Sequence, residues 1–284
     1  MAELLQGAPV VEALDKQTAA DTEMLKAQGV EPTLAIVRVG DRGDDISYER
    51  GATKRAEKVG VAVRHITLTS NISQTELLAL IQKLNGDASV HGVLLFRPLP
   101  QHIDEDVVCN ALAPEKDVDG ICDLSLAAVF ADKTTGYAPC TAQACMELLD
   151  YYGIDLVGKN ALVVGRSLVA GKPVSMMLLG KNATVTVAHS RTADLRSVVA
   201  AAEVVIACVG RARLLDASYL RAGQTVIDVG INMANDGSLV GDVDFEGVLD
   251  TIRAITPVPG GVGTVTTSVL VKHVVEAAQK SVSP

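Results

Sequence analysis

The chain lacks the features that mark several common classes of protein. Its 284 residues contain no dense tract of lysine and arginine, and the formal net charge is -9. Nucleic acids and anionic membranes bind clustered positive charge, so neither is expected as a partner. The chain has no run of roughly 18 apolar residues that could span a membrane, and no basic leader segment. We therefore expect an unprocessed cytoplasmic protein that acts on a small molecule.

Cysteine patterns that mark disulfides or metal sites are also missing. The five cysteines are an odd number, have no C-x-x-C spacing and stand mostly within apolar stretches. Secreted disulfide scaffolds and zinc sites use paired, regularly spaced cysteines. We predict neither kind of site and no bound metal.

Short β-branched segments alternate with helical patterns along the whole chain. The first series has strands at 32–40, 61–68 and 90–99, and the second has strands at 160–167, 182–190, 202–210 and 225–232. Strands separated by helices form parallel sheets covered by those helices. A less regular stretch, 117–141, separates the two series. The pattern predicts an α/β protein of two domains with a cleft between them.

The segment ALVVGRSLVAGKP could hold a phosphate group, because the first amides of a helix are unpaired and attract anions. Arg166 and Ser167 stand where the common G-x-G-x-x-G motif has its second glycine, and Gly165 is six residues from Gly171. The residues alone leave two interpretations open, a cofactor loop and an ordinary glycine turn.

The end of the next predicted strand bears on the cofactor. NAD sites usually place an acidic residue there, whereas a 2′-phosphate favours hydroxyl and guanidinium groups. Ser190 and Arg191 stand at this place, with Arg166 in the preceding loop, which favours NADP over NAD. In the alternative interpretation Ser190 or Thr192 only caps the following helix.

Four further stretches are polar or rich in proline and glycine. They are RPLPQHID at 97–104, PEKDVDG at 114–120, APCT at 138–141 and TPVPGGVG at 256–263. One such stretch is commonly just a turn. Together with Tyr48 and GRSLVAGKP, in this order, they resemble the methylenetetrahydrofolate dehydrogenase/cyclohydrolase family over essentially the whole chain.

The resemblance implies a folate-binding catalytic domain and a Rossmann-like NADP domain with a parallel sheet. The catalytic domain would comprise 1–141 and a C-terminal helix at 266–284, and the NADP domain 142–265. The implied reaction is NADP-dependent oxidation of 5,10-methylenetetrahydrofolate to 5,10-methenyltetrahydrofolate, which many members then hydrolyse to 10-formyltetrahydrofolate. The implied partners are tetrahydrofolate derivatives and a second copy of the chain.

The resemblance also assigns site residues. Tyr48 would stack on the folate and Asp119 would hydrogen-bond the pterin, as the catalytic residues. The implied folate-binding set is Tyr48, Leu95, Pro98, Asp119, Pro257, Gly260 and Gly261. The implied NADP-binding set is Gly165, Arg166, Ser167, Ser190, Arg191 and Ile231.

Two positions depart from the family pattern. The family's tyrosine helix reads Y-x-x-x-K, and its strand motif reads G-[IV]-L-V-Q-L-P-L-P; here the lysine falls on Ala52 and the glutamine on Phe96. That lysine and glutamine are associated with the hydrolytic step, which needs proton transfer. Neither alanine nor phenylalanine can transfer a proton, and a nearby arginine stays protonated. We predict a dehydrogenase whose cyclohydrolase activity is lost or weak, and which depends on a separate cyclohydrolase.

Three other functions compete with this one. Another residue or an ordered water could restore hydrolysis and make the protein bifunctional. The chain could be a non-catalytic folate- or nucleotide-binding protein with a decayed site. It could also be a two-domain dehydrogenase of a small hydroxy acid, although the Lys/Asp pair of such enzymes is not found.

Overall fold

The computed structural model describes residues 1–234 and 236–282, which form two compact units. Unit 1 consists of Met1–Glu12 and Thr141–Thr266, and unit 2 of Ala13–Cys140 and the C-terminal segment from Thr267. The sequence analysis gave residues 1–12 to the catalytic domain. The structure instead gives them to unit 1, because residues 3 and 4 pair there with residues 254 and 255.

The elements are numbered in chain order. The strands are β1 Glu3–Leu4, β2 Thr33–Val39, β3 Ala62–Leu68, β4 Gly92–Leu95, β5 Asn160–Val164, β6 Thr184–Ala188, β7 Val204–Ala207, β8 Thr225–Asp228, β9 Asn232–Met233, β10 Leu239–Val240 and β11 Ala254–Ile255. The helices are α1 Gly7–Ala27, α2 Gly43–Lys58, α3 Gln74–Gly86, α4 Glu105–Asn110, α5 Asp123–Phe130, α6 Cys140–Tyr151, α7 Gly171–Gly180, α8 Leu195–Ala201, α9 Phe245–Val248 and α10 Val262–Val282.

Unit 2 contains a parallel sheet of three strands in the order β3-β2-β4. The central strand β2 reads TLAIVRV and is buried along almost its whole length, as parallel strands covered on both faces are. Leu77 and Ile81 of α3 pack with Ala35 and Val37 of β2 in one core cluster. The helix is fixed at its start by a capping box between Ser73 and Glu76.

Unit 1 contains a parallel sheet of six strands in the order β1-β11-β8-β7-β5-β6. A separate antiparallel hairpin is formed by β9 and β10. The chain places β6 on one side of β5 and then returns to place β7 on the other side. Ligands of such sheets bind at the carboxyl ends of the strands beside this reversal. The strand order therefore places a candidate ligand site of unit 1 at the ends of β5 to β8.

The predicted two-domain α/β class is confirmed, each predicted strand overlaps an observed one, and the predicted C-terminal helix overlaps α10. The sequence analysis missed α1 and α5, the latter inside the stretch that it described as irregular. It also missed β1 and β11, which are two residues long and pair far apart in sequence.

Within the described residues, no helix has the length and apolar content needed to cross a membrane. The same residues contain no cluster of three or more side chains arranged to hold a metal ion. All five cysteines are free thiols.

Gly92 at the start of β4 tests how tightly unit 2 is packed. A Cβ there would lie 2.7 Å from Val118 Cγ1 and 2.9 Å from Val274 Cγ2. We expect Gly92→Ala to lower the free energy of unfolding by about 1–3 kcal/mol through overpacking. The measurement is the urea midpoint of the purified variant.

Gly51→Ala is the matched control for this prediction. Gly51 lies within α2, and a Cβ added there meets no atom within 4 Å. This substitution should raise stability by about 1 kcal/mol, because alanine is the better helix former. A Gly92→Ala protein as stable as the wild type would contradict the close contact with Val118 and Val274.

Candidate active site

In unit 2, Tyr48 on α2 lies against Phe96, the residue that follows β4. Their ring centroids are 5.9 Å apart at an interplanar angle of 84°, an edge-to-face contact. Ala52, one helical turn after Tyr48, is completely buried. The two positions where the family pattern has lysine and glutamine are thus occupied by a methyl group and an aromatic ring. Neither can exchange a proton.

The arginines near this site do not take the place of the lysine. Arg55 donates to the buried carboxylate of Asp15, which also accepts from Lys58 Nζ at 3.0 Å and Ser268 Oγ at 2.9 Å. Arg97 lies 3.9 Å from Glu105. A guanidinium group is a poor general base, so neither arginine supplies the missing proton transfer.

Asp119 is a half-buried carboxyl group in the loop after α4. Burial raises its pKa to about 6, although Cys140 and the positive charge of Arg97 act to lower it. The group is therefore mostly ionised at neutral pH. In that state it can accept hydrogen bonds from a ligand.

The loop that carries Asp119 is held by Asp117, whose role the sequence analysis missed. The buried Asp117 carboxylate accepts from the backbone amides of Ile121 and Cys122, both at 2.9 Å. Gly120 has φ +65°, and a Cβ there would lie 2.5 Å from Pro139 N. The DVDG sequence thus combines one structural aspartate, one aspartate with a raised pKa and an obligatory glycine.

Cys140 has a histidine neighbour that could not be seen in the sequence. Its Sγ lies 3.9 Å from His273 Nδ1 and 3.3 Å from the carbonyl oxygen of Val118. His273 Nδ1 donates to that same carbonyl at 2.9 Å, so it carries a proton and cannot act as a base toward the thiol. Burial raises the pKa of Cys140 well above its ordinary value. A buried, protonated thiol is a poor nucleophile.

In unit 1, β5 leads into a tight loop that ends at α7. Gly165 has φ +135°, and a Cβ on Gly171 would lie 2.5 Å from the carbonyl oxygen of Gly165. Arg166 and Ser167 are exposed within the loop. No side chain caps the start of α7 at Ala170. Lys172 N donates to Ser167 O at 3.0 Å, Val174 N donates to Ala170 O at 2.9 Å, and Pro173 has no amide hydrogen, which leaves the amide of Gly171 for an anion.

The residues after β6 are exposed and do not cap the next helix. Ser190 and Arg191 are both exposed, and Thr192 Oγ1 accepts from the amide of His189 at 2.9 Å. The N-cap of α8 is Asp194, which accepts from Ser197 N at 3.1 Å. The interpretation in which Ser190 or Thr192 caps this helix is therefore wrong.

A cavity of about 250 Å³ lies beside the ends of β8 and β11 in unit 1. It is lined by residues 228–231, by the PVPGGVG loop up to Thr264, and by Leu239 of the β9–β10 hairpin. The structure thus brings Ile231 together with Pro257, Gly260 and Gly261. Leu239 was missed because it belongs to no motif.

The remaining predicted site residues lie in unit 2. Leu95 is buried in the core, and Pro98 is exposed. The contacts of Leu95 are with other core residues, so its side chain helps to shape the site rather than to line an open surface.

Comparison with protein families assigns both halves of the chain. Residues 5–119 match the model "Tetrahydrofolate dehydrogenase/cyclohydrolase, catalytic domain". Residues 139–282 match "Tetrahydrofolate dehydrogenase/cyclohydrolase, NAD(P)-binding domain". The second match covers the loop after β5 and the cavity with Ile231.

Similar proteins span essentially the whole chain. The "Bifunctional protein FolD 1" of Desulfitobacterium hafniense is 48% identical over 98% of this chain and 99% of its own. The bifunctional FolD structure from Campylobacter jejuni is 38% identical, with a TM-score of 0.96 over 99% of both chains. The Trypanosoma brucei FolD structure, solved with NADP and an inhibitor, is 33% identical, with a TM-score of 0.93 over 100% of this chain and 99% of its own. With both domains matched in order, and with full-length relatives of the same architecture, this chain belongs to the tetrahydrofolate dehydrogenase/cyclohydrolase family.

Proposed function

We propose that the protein oxidises 5,10-methylenetetrahydrofolate to 5,10-methenyltetrahydrofolate with NADP, and that its cyclohydrolase activity is lost or strongly reduced. Family membership supports the dehydrogenase part. The observation that carries the second part is the buried methyl group of Ala52 beside the Tyr48–Phe96 ring pair. The names of the relatives call them bifunctional, and that description applies to those proteins.

Folate binding is proposed for the surface around Tyr48 and Asp119. The Tyr48 ring presents an aromatic face on which a pterin can stack. The ionised Asp119 carboxylate accepts hydrogen bonds, which suits the N–H groups on the edge of a pterin. Leu95 and Pro98, which are close to Phe96 in the sequence, would shape the site. Pro257, Gly260 and Gly261 are proposed from the family resemblance as further folate-binding residues.

NADP binding is proposed for the carboxyl ends of β5 to β8. The amide of Gly171 at the start of α7, with Gly165 and Ser167, would hold the pyrophosphate. Ser190, Arg191 and Arg166 would hold the 2′-phosphate, since arginine forms paired hydrogen bonds to phosphate oxygens. The exposed positions of all three side chains agree with such a role. Ile231 would contact the cofactor at the 250 Å³ cavity.

The oxidation does not require a titrating side chain. NADP, when bound, supplies the nicotinamide ring that takes up the hydride. The work of this chain's residues is to orient the folate carbon and to exclude water from it. Tyr48 and Asp119 are proposed to provide that orientation.

Hydrolysis of the methenyl product has a different requirement. Water must lose a proton as it attacks, and a ring nitrogen must gain one as the ring opens. A positioned acid or base contributes about 10²- to 10⁴-fold to such a step. Ala52 and Phe96 provide none, and the Phe96 ring leaves that corner of the site apolar. A separate cyclohydrolase would then consume the product, and a homodimer is proposed from the family resemblance.

The experiment that tests this function follows NADPH and methenyltetrahydrofolate together. After purified protein is mixed with methylenetetrahydrofolate and NADP, we expect the two products to rise one for one. Methenyltetrahydrofolate should then decay at the rate of a sample without enzyme, because no group delivers protons. Faster decay with enzyme would establish a bifunctional protein. Binding of both ligands without NADPH formation would establish a non-catalytic one.

Restoring the two family residues should restore hydrolysis. We expect the double variant Ala52→Lys, Phe96→Gln to hydrolyse methenyltetrahydrofolate about 100-fold faster than the wild type. A lysine at this buried position has a lowered pKa and can act as a base, and the shorter glutamine gives it room. The rate is read from the decay of methenyl absorbance.

Gly51→Lys is the matched control for the added lysine. It places the same charge on α2 at an exposed position about 100° around the helix from Ala52. Neither this variant nor Phe96→Gln alone should gain hydrolysis. Equal rates in the double variant and in Gly51→Lys would remove the explanation based on Ala52 and Phe96.

Folate use should fall at acid pH because of Asp119. Its pKa is about 6 in the folded protein, so it is ionised above that pH and protonated below it. Protonation replaces an acceptor by a donor, and we expect kcat/KM for the folate to fall by up to about tenfold for each pH unit below 6. In the Asp119→Asn variant, kcat/KM for the folate should be low at every pH and should no longer depend on pH in this range. A wild-type profile that is flat from pH 5 to 8 would show that Asp119 does not bind the folate.

A further inference from the structure

Two buried carboxylates in unit 1 have no part in the proposed chemistry. Asp228 is the last residue of β8, and Asp242 follows β10. Their exposures are 2% and 0%. No lysine or arginine in the described residues forms an ion pair with either group at 4 Å or less. We call these two residues the carboxylate pair.

Asp242 holds the loop that follows β7. Its Oδ2 accepts from the amides of Val209 at 2.6 Å and Gly210 at 3.0 Å, and its Oδ1 accepts from Arg211 N at 2.8 Å. Three consecutive amides that point at one anion form a nest, a structure that fixes the local backbone. The conformation of residues 209–211 therefore depends on this carboxylate.

Asp228 in turn holds Asp242. Its Oδ1 accepts from Asp242 N at 2.9 Å and from Gly230 N at 3.0 Å, and its Oδ2 accepts from Val243 N at 2.9 Å. Asn232 Nδ2 also donates to Asp242 Oδ1 at 3.0 Å. The carboxylate pair thus joins the loop after β7 to the loop after β8 through continuous hydrogen bonds.

Glycine is required at two places around the pair. A Cβ on Gly230 would collide with the Asp242 carboxylate, and a Cβ on Gly241 would collide with the Asp228 carboxylate. The backbone therefore encloses both groups. Burial also raises the pKa of Asp228 to about 7, against three backbone amides that lower it. Enclosing two like charges is unfavourable, and a packed apolar pair would avoid that cost.

The loops joined by the carboxylate pair lie at the ends of β7 and β8, on one side of the proposed nucleotide site. The 2′-phosphate is proposed to bind at the end of β6, so the adenosine half lies over β5 and β6. A dinucleotide crosses the point where the strand order reverses, which here is β5. Its other half then lies over β7 and β8, beside residues 209–211 and 229–232.

We propose that Asp228 and Asp242 are positioning residues for the nicotinamide half of the cofactor, holding the loops after β7 and β8 in one fixed relation. This inference rests on the proposed use of NADP. It assigns the pair no contact with the reacting atoms. Its role is to fix the backbone conformation of residues 209–211 and 229–232, beside which the nicotinamide half would lie.

The test compares two ligands by titration calorimetry, NADP and 2′,5′-ADP, which carries the adenosine half and the 2′-phosphate alone. Asp242→Asn puts an amide N–H₂ group against two of the four donors that Asp242 now accepts, whichever way it is turned. We expect NADP to bind about tenfold more weakly, with 2′,5′-ADP within about twofold of wild type. A merely structural defect would weaken both ligands together.

Asp216→Asn is the matched control. The Asp216 carboxylate also accepts a backbone amide, that of Ser218 at 2.8 Å, but lies outside residues 209–211 and 229–232. The Asp216→Asn substitution should leave the affinities for NADP and 2′,5′-ADP unchanged. If Asp242→Asn does not fold, as judged by circular dichroism, Asn232→Ala takes its place. That variant removes one hydrogen-bond donor to Asp242 and changes no charged group. The affinity for NADP should fall by about threefold, and the affinity for 2′,5′-ADP should not change.

The outcomes separate this inference from the proposed function. A wild-type protein that binds neither ligand overturns the use of NADP and the inference with it. The inference alone is overturned if the wild type binds NADP and 2′,5′-ADP while the variants lose affinity for both ligands equally. It is also overturned if the variants lose affinity for neither ligand. Selective loss of NADP affinity in Asp242→Asn or Asn232→Ala supports it.

Discussion

Parallel strand pairing is the constraint on which the sites of this protein depend. In the main sheet of each unit the strands run in one direction, so the segments that leave their carboxyl ends emerge along the same edge of that sheet. In unit 1 this brings together the loops after β5, β6, β7 and β8, which are up to about 65 residues apart in sequence. The sheet supplies a rigid frame, and the loops supply the chemistry.

The chemistry separates into two requirements that the chain meets unequally. Orientation of a folate and a dinucleotide needs shape, backbone amides and a few fixed polar groups, and the proposed sites offer groups of these kinds. Proton transfer needs a titrating group at one place, and that place holds Ala52 and Phe96. A change of two side chains can therefore remove one activity of a bifunctional enzyme and leave the frame for the other intact. The proposed division of activities follows from this difference in physical demand.

Sequence reasoning succeeded where the determining interactions are local. Long β-branched segments and amphipathic helices have a periodicity that neighbours in sequence reveal, and the glycine- and proline-rich loops carry their own backbone preferences. The segment after β6 was harder, because Ser190, Thr192 and Asp194 are all good caps and only the folded backbone selects Asp194.

Long-range features could not be predicted from the sequence. The pairing of β1 with β11 involves two residues from each strand, too few for any periodicity. Asp242 accepts hydrogen bonds from amides 31 to 33 residues away, and no pattern in the neighbouring sequence predicts that contact. Cys140 and His273 are 133 residues apart and meet only in the fold. In each case the partner is chosen by topology.

The complete burial of Ala52 has a consequence for the history of the protein. A lysine that arose at this position alone would be enclosed beside an aromatic ring, with its charge poorly solvated. A glutamine that arose alone at position 96 would put an unpaired amide beside Tyr48. Either single substitution is therefore expected to destabilise the protein without producing hydrolytic activity. The proposed loss of hydrolysis would therefore be difficult to reverse through single substitutions.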